Sequence, residues 1–324
     1  MKLPNHLHFI WLGSPVPNSL QYPYRRRILD WKEQNPEHQV FLWTDLQAGD
    51  LERLQLWANK YGILLQTIEQ IQWGTEKSVV RALIEQRYFA NASDLLRLRI
   101  LYQWGGFYFD FDVSPSVLPL VFQAPLGILM KLQKQEEQLS SISLYALGAQ
   151  PGHELLQLAL WEGVQNLQLV QTLPDLDFRA HENPTVRYGA TLALTGDIIR
   201  PALAQVAGFF PVAGYPWTLG LEWMRFLFPL EHLEEHSWIQ GEVDHVNPFY
   251  PEALLNLIKE REKASRTRAL SSILHWAAAF GPAEMISEIA KVIAPFESYF
   301  GSSPRGIAIR YQREQGILDA IPSM

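Results

Sequence analysis

The chain has 324 residues, a formal net charge of −7 and no cysteine, so disulfides and thiolate zinc sites are excluded and any metal must be held by oxygen or histidine nitrogen. The acidic balance argues against nucleic acid as the main partner, while 48% hydrophobic and 19% charged residues permit a sizeable core. No run approaches the ~20 apolar residues that a membrane span requires, and His6 and His8 interrupt any signal-peptide h-region, so the cytosol is the default location.

Taken in order, residues 6–13 read as a strand ending in a glycine turn, followed by Pro15 and Pro17. Strand ends of open α/β sheets are where ligands bind, so Trp11 is either a core plug or a stacking platform for a flat ring. Residues 19–35 predict a helix, with Tyr24, Ile28, Leu29 and Trp31 at helical spacing and Arg25-Arg26-Arg27 as a basic face. A solvated face is the commoner role of such a run, and a phosphate-binding cluster the rarer one. Asn35-Pro36 ends the helix. A second strand is expected over 40–45, a helix over 50–60, and a short strand from Gly62 through Leu65. Strands and helices alternating at this rhythm indicate βαβ units and a largely parallel sheet.

The central stretch comes next. Ser93 is expected to cap a helix, with Asp94 at its positive end, and Gly105-Gly106 to break it. From Phe107 the period switches to two. Phe107, Phe109, Phe111 and Val113 share one face, and Tyr108, Asp110 and Asp112 the other. On a strand, the two aspartates would lie about 6.6 Å apart at Cα, from a rise of ~3.3 Å per residue. Two ionised acids so placed repel unless a cation joins them, and a hard divalent ion with room for phosphate oxygens is the economical answer. Asp94 and Arg97, three apart on one helical face, add a second polar pair. An isolated Asp-x-Asp more often merely closes a turn, but its setting after this helix, glycine pair and aromatic strand favours a metal site.

Further strands are expected at 126–130 and 142–147, with the polar stretch 131–140 as an exposed hairpin or loop between them. A helix follows over 152–168, then a polar loop over 177–184 on the acceptor side. Residues 216–248 hold Trp217, Trp223 and Trp238 with His232, His236 and His245, which could form a lid or complete a metal site. Amphipathic or apolar helical runs close the chain at 252–263, 270–280 and 283–293. The simplest partition is a catalytic domain over 1–250 and a helical extension over 251–324 packed on it.

Together these pieces resemble the DXD-containing glycosyltransferases, which include the catalytic domains of large clostridial toxins and related fungal and bacterial sugar transferases. The matching parts are His8-Phe9-Ile10-Trp11-Leu12-Gly13, Asn35-Pro36 through Trp43-Thr44-Asp45, and above all Ala92 to Val113. The resemblance implies a GT-A fold, an α/β architecture with a mixed, mainly parallel sheet flanked by helices. It also implies a nucleotide-sugar donor (a UDP-sugar favoured), Mn²⁺ or Mg²⁺ on the diphosphate, and retaining hexosyl transfer. The acceptor would be a protein, glycan or lipid. Carried over, Trp11 would stack on the base, Asp94 and Arg97 would hold the sugar hydroxyls and the ribose–phosphate region, and Tyr108 would touch the diphosphate. Asp110 would contact the ribose or the metal, and Asp112 would ligate the metal directly.

Downstream, Glu234 and Ser237 match the toxin spacing for further metal contacts, and Trp238 would touch the leaving phosphate, although it comes one residue earlier than in the toxins. Related transferases place a histidine before Ser-Trp, which His232 or His236 matches, so the third ligand is Glu234, His236 or Ser237. The toxins' N-terminal helical bundle is expected to be missing. The resemblance leaves open work in the cell's own cytosol or signal-peptide-independent delivery into a host. Rival expectations are a metal-dependent nucleotide-sugar hydrolase or phosphotransferase, and a non-catalytic binding protein whose Asp-x-Asp is structural.

Overall fold

The computed structural model describes residues 3–19, 23–118, 128–135 and 138–153, parts of 156–164, and a short helix Gln315–Ala320. Among these residues the chain runs β1 (His6–Trp11), α1 (Tyr24–Gln34), β2 (Gln39–Thr44), α2 (Ala48–Tyr61), β3 (Leu64–Thr67), α3 (Lys77–Glu85), α4 (Phe89–Trp104), β4 (Gly106–Phe109), β5 (Ile128–Gln135) and β6 (Gln138–Ala149). One sheet takes the strands in the order β3-β2-β1-β4-β6-β5. The first four are mutually parallel, and the β5–β6 hairpin adds on antiparallel to β4. This is the mixed, mainly parallel sheet flanked by helices that the sequence predicts.

The local rules hold for most elements. Tyr24, Ile28 and Trp31 recur at helical spacing and form the buried face of α1. Trp31 lies flat on Phe109 at 4.3 Å between ring centroids. β2 is buried on both faces beyond its first residue, as parallel strands between helices are. Phe107, Phe109, Phe111 and Val113 all enter the core with Leu7, Phe9, Val40 and Leu42. Each such buried side chain stabilises the fold by about 1.5–3 kcal/mol.

Gly62 ends α2 in the left-handed conformation, as its C-cap, and β3 starts two residues later. The glycine pair after α4 meets a stricter demand. Gly106 has φ +94°, and a Cβ there would lie 2.6 Å from the His6 carbonyl oxygen, so the chain can turn from α4 into β4 only without side chains.

Two expectations are corrected. Ser93 is not an N-cap, because α4 begins a turn earlier at Phe89. Residues 89–92 contain nothing that resists a helix, Asn91 and Ala92 are buried, and the Ser93 carbonyl accepts from Arg97 within the helix. The two aspartates do not share a strand face, since β4 ends at Phe109 and Val113 N–H closes a turn on the Asp110 carbonyl at 3.2 Å. Of the hairpin or loop expected over 131–140, the hairpin is found, with β5 running to Gln135 and β6 starting at Gln138, so backbone pairing extends further into the polar stretch than the strands expected at 126–130 and 142–147. The expected boundary near residue 250, the segments 177–184 and 216–248, and the helices at 252–263, 270–280 and 283–293 lie outside the described residues.

Candidate active site

Because β1, β2 and β4 run parallel in register, their carboxyl ends meet on one edge of the sheet. α4 runs alongside and delivers Arg97 to that edge. The Arg97 side chain is only 6% exposed, and its Nη2 pairs with Asp94 Oδ1 at 3.0 Å, the i,i+3 pair that the sequence predicts. Its Nη1 faces Asp110 Oδ1 at 3.4 Å and donates to the Leu144 carbonyl at 2.7 Å, while Nε donates to the Ser93 carbonyl at 3.2 Å. The guanidinium lies over the Tyr108 ring, 4.6 Å from its centroid. Tyr108 in turn donates its hydroxyl to Asp110 Oδ1.

The electrostatics follow from this packing. Burial works against the Arg97 charge, but the nearby Asp110, Asp94 and Asp112 carboxylates overcome it and raise its pKa, so it stays a cation. Burial likewise pushes the Tyr108 hydroxyl well up, keeping it a neutral donor. For Asp110, desolvation is the largest influence and raises the pKa. Asp112 adds to that rise, against the opposing pull of Arg97 and the Tyr108 hydroxyl. Desolvation together with the neighbouring Asp112 thus outweighs the pull of the guanidinium on this carboxyl.

The Asp110–Val113 turn is held from several sides. Asp110 N–H donates to the Tyr145 carbonyl at 2.9 Å. The Phe111 ring meets Phe9, Trp11 and Tyr24 at centroid distances of 5.7, 5.4 and 5.3 Å. Trp11 is half-buried at the end of β1, with its Nε1–H directed at Ser14 Oγ at 3.3 Å. The structure thus brings Asp94, Arg97, Tyr108 and Asp110 into direct contact, keeps Asp112 two residues on in the same turn, and joins Trp11 to that turn through Phe111. Glu234, His236, Ser237 and Trp238 lie outside the described residues, as does His232.

The roles of four further residues escaped sequence reasoning. Asp45 Oδ1 accepts from Gly13 N–H at 2.7 Å and ties the turn after β1 to the end of β2. Phe89 lies against Gly13, where any Cβ would collide with its ring. Asn35, 2% exposed, donates Nδ2 to the Trp31 and Ser116 carbonyls at 2.9 and 2.8 Å and accepts from Leu118 N–H at 2.6 Å. Arg27 donates to the Phe111 carbonyl at 3.0 Å. Asn35 and Arg27 carried a signal, as a helix stop and as part of a basic run, and Asp45 stood at the end of a segment that carries the family resemblance.

For a metal, the donor set is all oxygen. Tyr108 and Arg97 both contact Asp110 at Oδ1, which leaves Oδ2 for a cation, and Asp112 supplies a second carboxylate. Such donors suit a hard ion of the Mg²⁺ or Mn²⁺ type. Among the described residues no group of three or more histidines or acids converges as a complete metal site.

An α/β sheet with acidic side chains at the carboxyl ends of parallel strands defines a domain that binds its ligand at that edge. Residues 24–122 match the family model described as the glycosyltransferase sugar-binding region containing the DXD motif, and this match supports a sugar transferase. "Subversion of eukaryotic traffic protein A" of Legionella pneumophila subsp. pneumophila is 29% identical over 136 residues, which take in 40% of this chain and 20% of that protein. Among solved structures, the PaToxG glycosyltransferase aligns with a TM-score of 0.49 at 16% identity, over 82% of this chain and 86% of the other. The catalytic domain of alpha-toxin from Clostridium novyi aligns at 0.45 and 12% identity, over 98% and 78% of the two chains. The UDP-bound glycosyltransferase domain of the YGT toxin aligns at 0.45 and 10% identity, over 99% and 100%. Among the described residues no helix is long and apolar enough to cross a membrane.

Proposed function

We propose that this protein is a metal-dependent, retaining glycosyltransferase of the GT-A type that moves a hexose from a nucleotide-sugar donor, with UDP-sugars favoured, to a hydroxyl or side-chain acceptor. The observation that carries this reading is the Asp110–Asp112 turn at the carboxyl edge of the parallel strands, joined through Tyr108 and Arg97 to Asp94 inside the matched segment.

In this reading Asp110 and Asp112 hold a Mn²⁺ or Mg²⁺ ion, with Glu234, Ser237 or His236 completing the set from downstream. When bound, that ion acts as a Lewis acid toward the departing nucleoside diphosphate. Trp11 stacks on the base at the end of β1. Asp94 orients the donor sugar through its hydroxyls, and Arg97 keeps Asp94 and Asp110 aimed. This gives Arg97 mainly a supporting role, since its donors are largely directed at protein oxygens. The neutral Tyr108 hydroxyl fixes the rotamer of Asp110, and Trp238 and Ser237 meet the leaving phosphate. Residues 1–250 form the catalytic domain and 251–324 a helical extension on it. The name of the Legionella relative favours action inside a host cell after delivery, with a protein, glycan or lipid as acceptor.

The test is a panel of UDP-sugars and GDP-mannose, with and without Mn²⁺, read for transferred against free sugar. Asp112→Ala is expected to lower turnover by about 10²–10³-fold, the scale seen when one group that stabilises developing charge is removed. Donor hydrolysis unchanged in that variant would remove the metal assignment. Free sugar alone, at full rate with every acceptor fraction tried, would convert the transferase into a hydrolase.

A further inference from the structure

The run Arg25-Arg26-Arg27 looks uniform in sequence, but its three guanidiniums do different things. Arg26 is exposed and pairs with Asp30 at 2.7 Å and Glu33 at 3.3 Å. Arg25 donates Nε to the Val16 carbonyl at 3.0 Å and lies over the Trp57 ring. Arg27 turns the other way and crosses to the acidic turn, where Nη1 donates to the Phe111 carbonyl at 3.0 Å. Its guanidinium also lies 5.4 Å from the centroid of the buried Tyr24 ring.

Phe111 is the residue between the two aspartates, and this gives the contact its weight. The peptide unit from the Phe111 carbonyl to Asp112 Cα is planar, so a donor on that carbonyl sets the plane from which the Asp112 side chain departs. The Phe111 ring is held separately by Phe9, Trp11 and Tyr24. Ring packing therefore decides where the turn lies, while the Arg27 hydrogen bond decides how the following peptide is rotated about that anchor. Asp110 has its own supports in Tyr108, Arg97 and the Tyr145 carbonyl.

We propose that Arg27 is a positioning residue for the acidic turn, holding the Phe111–Asp112 peptide so that the Asp112 carboxylate is presented to a divalent cation. This rests on the reading of Asp112 as a metal ligand. Second-layer hydrogen bonds of this kind are commonly worth 10- to 100-fold in metal affinity. Charge alone predicts the opposite sign, since removing a cation beside a metal site should tighten binding of a dication.

The experiment titrates Mn²⁺ alone into the full chain and reads free Mn²⁺ by electron paramagnetic resonance. It compares the parent with Arg27→Met, Arg27→Gln, Arg27→Lys, the neighbouring exposed Arg26→Met and Asp112→Ala, recording thermal unfolding for each. The expected result is a Kd raised about 10-fold in Arg27→Met and Arg27→Gln, against a parent-like value in Arg26→Met. Arg27→Lys, which keeps a donor, should fall between, and Tm should not follow the order of the Kd values. In transfer assays the KM for Mn²⁺ should rise while kcat at saturating Mn²⁺ is kept. If Arg27→Met does not fold, Arg27→Gln decides by the same comparison. Arg27 variants that bind Mn²⁺ as tightly as the parent, or more tightly, while Asp112→Ala loses it, overturn the positioning role alone. A parent that binds no Mn²⁺, or binds it equally after Asp112→Ala, overturns the metal reading and this proposal together.

Discussion

Arg97 concentrates the chemistry of the site in one side chain. It is nearly buried, yet it faces two carboxylates, two carbonyls and an aromatic ring. Removing one partner of a buried charge cluster is more damaging than never having built it, because the remaining charges stay desolvated. Arg97→Met should therefore destabilise the fold by about 3 kcal/mol in urea titration. A change within about 0.5 kcal/mol, the range of an ordinary surface substitution, would show that the cluster contributes nothing net. Half of this cluster was legible in advance. The Asp94–Arg97 pair follows from helical spacing, whereas the Arg97–Asp110 and Arg97–Leu144 contacts are tertiary and have no local signature. Asn35 illustrates the same limit. Its place before a proline reads as a helix stop, and nothing nearby in sequence shows that it also holds Ser116 and Leu118.

At the scale of elements, periodicity did most of the work and termini were where it failed. The alternation of two amphipathic helices with short aliphatic strands located β1, α1, β2, α2 and β3 to within about five residues. The start of α4 was misplaced because Ser93 resembles a cap, while the real start is set by how Phe89 and Asn91 pack. The end of β4 was overrun for a related reason. The apolar period continues through Phe111 and Val113, and both are buried, but the backbone has already left the ladder and turned. Side-chain periodicity reports which way residues face, and it does not report where hydrogen bonding between strands stops. β5 and β6 were expected, but shorter than they are, for the opposite reason. Their polar residues mask a ladder that pairs backbone to backbone.

At the scale of the molecule, the parallel sheet separates two chemical environments. Trp11, Asp45 and the acidic turn gather at the carboxyl edge, and the early residues of the same strands carry histidines. His8 is fully buried, donates Nε2–H to the Gly105 carbonyl at 2.9 Å and accepts from Trp43 Nε1–H at 3.2 Å, which fixes a neutral ring. Burial lowers its pKa to about 3, the Gly105 carbonyl opposes the shift, and His6 adds to it. Burial also lowers His6 and His38, with Glu37 pulling His38 the other way. The folded state thus takes up a proton on His8 less readily than the unfolded chain. The resulting stability is fully present above the unfolded value near 6.5 and is lost as pH falls toward 3. Between pH 7 and pH 4.5 His8 alone should cost about 2–3 kcal/mol of stability, read from urea midpoints, and His8→Gln should flatten that slope. Parallel pH profiles for parent and variant would exclude His8 as the source.

The contiguity of the central stretch has a consequence for how the chain assembles. Asp94, Arg97, Tyr108, Asp110 and Asp112 all belong to α4, β4 and the turn after them, so closing their contacts spans a short loop. Pairing β4 with β1 instead joins Leu7 to Phe107, across most of the described chain. Local contacts of this kind form early, and distant ones wait for the larger loop-closure entropy to be met. The acidic pocket should accordingly be organised in the folding transition state before the sheet is complete. In a chevron analysis, Leu98→Ala in α4 should slow folding, while Leu65→Ala in the edge strand β3 should mainly speed unfolding. The reverse pattern would mean that the sheet nucleates first and the charged pocket is fitted to it afterwards.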